Sequence, residues 1–153
     1  MRLSNLADYA VVVMIHAAQS RDTRISAQGI AASTGLPAPT VAKIMGQLSR
    51  AGLLESRRGP SGGFLLARPA EQISVAAITE AVDGPIAMTA CVDTHDSDCG
   101  FETVCCMKPH WPVINRAVRD ALDRITLAEL ARPAFNFLPV PDGPSDDTTV
   151  RSL

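Results

Sequence analysis

The chain has 153 residues, 46% of them apolar, which is enough for one domain with an appendage and a modest core. No apolar run reaches the ~18 residues of a transmembrane helix. The opening MRLSNLADYAVVVMIHAAQS has no basic leader or small-residue cleavage site, and Asp8 precedes its apolar run, so a soluble, cytoplasmic protein is expected. The formal net charge of −2 hides an asymmetry: residues 1–70 carry eight Lys/Arg against three Asp/Glu, residues 71–153 six against thirteen. A basic front half is an electrostatic footprint for nucleic acid, which the acidic rear would repel.

A first helix is predicted over residues 4–20, capped by Ser4, with Leu3, Leu6, Ala10, Val13, Met14 and Ala17 as its buried stripe. After the polar break at Arg21, Asp22 and Thr23, a second helix starts near Ser26 and stops at Gly35, with Ile30, Ala31 and Ala27 inward. Pro39 suits a first helical turn, so a third helix is expected over residues 38–51, stopped by Gly52. Val41, Ile44, Met45 and Leu48 follow the i, i+3, i+4, i+7 pattern and face in, whereas Thr40, Lys43, Gln47 and Arg50 face out. Two helices joined by a short glycine-containing turn, the second presenting hydrogen-bonding and cationic side chains, make a helix-turn-helix pattern. Residues 53–58 then predict a strand, Gly59-Pro60-Ser61-Gly62-Gly63 a turn and residues 64–67 the returning strand, which together form a wing. Arg57 and Arg58 beside a bare glycine-rich tip suit phosphates or the minor groove.

Ser74 is expected to cap a helix that buries Val75, Ile78 and Val82 and ends at Asp83-Gly84-Pro85. All four cysteines then fall within CVDTHDSDCGFETVCC, residues 91–106. That stretch is polar and acidic and lacks a sustained apolar period, so it reads as a loop. In a reducing compartment its thiols point to metal binding or redox chemistry rather than to structural disulfides. The C-x7-C-x5-C spacing lacks the close pair of structural zinc sites, although Cys99, Cys105 and a histidine could hold zinc, and it is wider than ferredoxin spacing. Three soft thiolates suit an iron–sulfur cluster whose fourth ligand comes from elsewhere, with His95, His110 and Cys106 as candidates. From about Pro109, Trp111, Ile114, Val118, Ala121, Leu122 and Ile125 recur every three or four residues, a seam fit to pair with a second copy or to pack on its own domain. Thr126 and Glu129 make a capping box for one further turn. The Pro-, Gly- and Asp-rich residues 133–153 are expected to be disordered.

MRLSNLADYA, the RRGPSGGFLLARP wing and the cysteine triplet together resemble the iron–sulfur winged-helix transcription regulators of the IscR, NsrR and RirA kind, over about residues 1–130. GPIAMTAC, DCGFETVCC and HWPVINRAVRDAL look most like regulators of iron–sulfur assembly (SUF) operons. The resemblance implies a mainly α fold with a small β-hairpin. Its parts are a winged helix-turn-helix domain (1–70), a connecting helix (71–90), a cluster loop (91–106), a long dimerisation helix (107–132) and the tail. It implies a homodimer on a double-stranded DNA operator, with Thr40, Lys43 and Gln47 at bases or phosphates, Arg50, Arg57 and Arg58 mainly neutralising phosphate, and Ser61 as a further DNA-binding residue. Cys91, Cys99 and Cys105 would hold an iron–sulfur cluster. Asp8 matches the position at which NsrR-like relatives supply a fourth ligand from the partner subunit, and it equally suits a first-turn helix acid. IscR-like relatives place a histidine where this chain has Lys108, which leaves two-iron and four-iron clusters both open. The implied role is a repressor of cluster-assembly or iron-response genes, with nitric-oxide or redox sensing, or a zinc or metal-free thiol switch, as alternatives. No phosphate-binding loop, Ser/His/Asp arrangement or paired carboxylates point to an enzyme, a small-molecule substrate or a membrane partner.

Overall fold

A computed structural model describes residues 3–20, 23–59, 62–89, 92 and 105–132. The predicted start signals act where expected. Ser4 caps α1 (Asn5–Gln19), its hydroxyl accepting the Ala7 N–H at 3.0 Å. Ser26 caps α2 (Ala27–Thr34) in the same way through Gly29, and Gly35, at φ 76°, ends it in the left-handed conformation that glycine tolerates. Proline in its first turn opens α3 (Ala38–Arg50), and Ser74 caps α4 (Val75–Asp83).

The core lies where α1, α3 and α4 meet. Ala7, Ala10, Val13 and Met14 of α1 pack with Val41, Ile44, Met45 and Leu48 of α3 and with Ile78 and Val82 of α4. One member of the predicted α1 stripe is displaced: Leu3 precedes the cap and is 43% exposed, and Ala7 takes the inward position. The wing is an antiparallel pair, β1 (Leu54–Arg57) and β2 (Gly63–Leu66), with Leu54 opposite Leu66 and Arg57 opposite Gly63. A second tie holds it to the body. Ile25, just before α2, exchanges both backbone hydrogen bonds with Phe64, at 3.0 and 2.9 Å.

A short 3-10 turn (Ala70–Gln72) leads into α4, and the thiol loop into α5 (Trp111–Asp123). α5 packs on α4 yet has no fully buried residue. Its predicted seam divides. Trp111, Val118 and Leu122 are half-buried, whereas Ile114, Ala121 and Ile125 are exposed. α6 (Leu127–Leu130) has the predicted capping box and returns to the winged domain. Leu127 is fully buried in the core, its N–H donates to the Ile73 carbonyl at 2.8 Å, and the Val75 N–H donates to the Ile125 carbonyl at 2.9 Å. None of the described helices is long and apolar enough to cross a membrane.

Candidate nucleic-acid interface and thiol segment

Because Val41, Ile44, Met45 and Leu48 bury one face of α3, the opposite face is presented outward. Lys43 and Arg50 are exposed there, and Thr40 is half-buried at its start. Gln47 departs from the outward placement expected for it. Its Nε2 donates to the Val82 carbonyl at 3.3 Å, at the end of α4, and its Oε1 is buried without a hydrogen-bond partner among the described residues. The reason is geometric. Gln47 lies beside Ile44 on the helix surface, just outside the stripe, and α4 covers that edge.

On the wing, Arg57 Nε lies 2.8 Å from Glu55 Oε1, with both side chains about half exposed. A pair so placed is weak and screened by salt, so the guanidinium can exchange its carboxylate for a phosphate. Arg58 and Gly59 are exposed beside it. The predicted contact Ser61 lies outside the described residues. The glycines after it are required by space. A Cβ on Gly62 would stand 2.8 Å from the Arg57 and Gly59 carbonyl oxygens, and one on Gly63 would stand 2.8 Å from the Ile25 carbonyl oxygen. No side chain fits there without moving backbone.

Of the candidate ligands, Cys91, Cys99 and His95 lie outside the described residues. Cys105 is half-buried and Cys106 exposed. They open a turn in which the Lys108 N–H donates to the Cys105 carbonyl and the His110 N–H to that of Met107, and His110 then heads α5 without capping it through its side chain. Asp8 is exposed in the first turn of α1. Among the described residues, no three His, Cys, Asp or Glu side chains converge on a metal position. The donor set, soft thiols in one segment, has the chemistry that iron–sulfur ligation asks for.

A polar network invisible in the sequence periodicity fixes the lead-in to that segment. Asn115 Nδ2 donates to the Ile86 carbonyl at 2.7 Å, and its Oδ1 accepts the Met88 N–H at 3.0 Å. Glu80 holds Arg119 Nε and Nη2 at 3.0 and 3.2 Å and accepts the Ile86 N–H at 3.4 Å. The hydrogen bond and charge of Glu80 raise the Arg119 pKa further. Two polar residues of an amphipathic helix are therefore turned to α4 and to residues 86–88. The small amide at position 115, beside the apolar stripe, was the available signal.

A two-helix reading unit, an exposed cationic face on its second helix and a glycine-tipped wing with arginines define a winged-helix DNA-binding protein. The comparisons agree with the geometry. The family model for Rrf2, described as an iron-dependent transcriptional regulator, matches residues 3–133, and the chain belongs to that family of DNA-binding transcription regulators. It is 32% identical to the HTH-type transcriptional regulator IscR of Yersinia pestis over 149 residues, covering 97% of this chain and 89% of the relative. Its fold is similar to that of CymR, the global cysteine regulator of B. subtilis, with a TM-score of 0.67 and 27% identity over 86% of this chain and 96% of the other. It is likewise similar to IscR of T. potens, with a TM-score of 0.64 and 27% identity over 85% of each chain.

Proposed function

We propose that this chain acts in the cytoplasm as a homodimeric repressor of iron–sulfur assembly or iron-response genes, with its DNA affinity set by an iron–sulfur cluster. The observation that carries this is the position of the thiols. They lie between the reading head and α5, on a segment whose two described flanks, residues 86–88 and 105–110, both run into α5 or its contacts. Cys91, Cys99 and Cys105 would hold the cluster, with Asp8 of the partner subunit as a candidate fourth ligand. The bound group would supply a redox- and iron-sensitive linkage between the reading head and α5. The exposed apolar residues Val113 (70%) and Ile114 (37%) of α5 and Ile125 (41%) just past its end suit a second copy of the chain. Two copies of α3 would then enter successive major grooves of a near-palindromic site.

A second reading is favoured by Cys106, which is exposed: a thiol switch that works without a cluster. The likeness to Staphylococcus aureus CymR, whose structure was solved in an oxidized form, fits this reading as well. An anaerobic absorbance spectrum with iron and sulfide assays separates the two. Brown protein with matched iron and sulfide, lost in Cys99→Ser with the dimer intact, supports cluster control. Protein that stays colourless after anaerobic reconstitution overturns it and leaves the thiol switch.

A further inference from the structure

We propose that Gln47 is a positioning residue that transmits the placement of residues 86–88, the lead-in to the thiol segment, to the recognition helix α3. The polar contacts around the last turn of α4 form one connected chain. On the loop side, Asn115 clamps the Ile86 carbonyl and the Met88 N–H, and Glu80 takes the Ile86 N–H while holding Arg119. On the DNA side, the Val82 carbonyl of that same turn accepts the Gln47 amide. The turn ends at Gly84, at φ 84°, whose N–H donates to the Glu80 carbonyl. The last carbonyls of a helix have no partner within it, so a side chain from another helix that takes one joins the two elements at that point.

The second observation is the Oε1 of Gln47, buried with no hydrogen-bond partner among the described residues. A buried amide satisfied on one side only is not at its best arrangement. A shift of the α4 end that offers Oε1 a donor would recover part of that cost and so bring a second arrangement closer in energy to the first, which is what coupling between sites requires. Lys43 and Arg50 lie one turn before and one turn after Gln47 on α3, so a rotation driven at Gln47 is delivered to the outward face. The inference rests on the proposed sensing role of the thiol segment for the identity of the signal. The coupling itself belongs to the protein chain.

The test is a double-mutant cycle on full-length, cluster-free protein with Asn115→Ala, Gln47→Met and the pair. The readout is affinity for the tightest duplex that the wild type selects from a random-sequence pool. Asn115→Ala is expected to change affinity about five- to tenfold when Gln47 is present and less than about twofold beside Gln47→Met. Equal effects in the two backgrounds, or no effect in the wild type, overturn the proposal. Cluster-loaded protein gives a second readout, the ratio of loaded to cluster-free affinity. A ratio that collapses in Gln47→Met at unchanged cluster absorbance supports the proposal, and one retained in full overturns it. A wild-type ratio of one beside a non-additive cycle overturns cluster control and leaves the coupling standing. A Gln47 that merely packs would lower thermal stability and both affinities together without moving the ratio.

Discussion

Replacing Lys43 by alanine removes an exposed ammonium from α3 without touching the core. Loss of ~1–3 kcal/mol of specific binding, with relaxed preference at one base position, is expected if Lys43 reads a base; an unchanged preference with a shallower salt dependence would assign it to phosphate. Gly63→Ala acts through space. Its new Cβ would meet the Ile25 carbonyl oxygen at 2.8 Å, so the wing must leave the body, at a cost of about 1–3 kcal/mol. Melting curves and weaker binding to the selected duplex, measured together, check this. The exposure of Lys43 was legible because it lies opposite a four-residue apolar stripe. That of Gln47 was not. Its position borders the stripe, and only the long-range approach of α4 decides which side of the border is wet.

At the scale of elements, helices α1 to α4 were legible because each has a start signal before its apolar period, a serine cap in α1, α2 and α4 and a first-turn proline in α3. The four residues of α6 are too few to show a period, so the capping box announced a turn but not its docking. Leu127→Ala is expected to cost about 2–5 kcal/mol, seen as a lowered Tm, because it empties a fully buried site. The cap itself is pH-dependent. Hydrogen bonds from the Thr126 backbone N–H and hydroxyl hold the Glu129 carboxyl below its ordinary value. A group with a depressed folded pKa stabilises above its unfolded pKa, and that contribution fades as pH falls through the folded value. Melts taken down through the acid carboxylate range should show this loss in the wild type and not in Glu129→Gln.

For the whole molecule, the division of α5 matters most. One edge, with Asn115 and Arg119, is committed to α4 and residues 86–88; elsewhere Val113 and Ile114, and Ile125 just past the helix, are left bare. The apolar spacing of α5 was visible in the sequence. That the stripe splits between its own domain and open surface was not, because a period does not say how far α4 reaches across it. Ile114→Glu puts a charge in the middle of the bare stripe. Sedimentation is expected to show a shift towards monomer, with a fall in affinity for the selected duplex, since two linked heads gain from effective concentration that separate ones lack. A dimer unaffected by this change would place the contact elsewhere on the chain.

The backbone bridge between Ser74 and Thr126 bears on how this chain can change over time. It brings together two points distant in sequence, so the chain that leaves the core after α4 is tied back to the start of α4 once α5 is complete. The chain-entropy cost of such a closure grows only logarithmically, about 0.6 kcal/mol for each doubling of length. By that measure a change in the length of the chain between the two bridged points adds little to the cost of closing it, and melting curves of a length variant would check this.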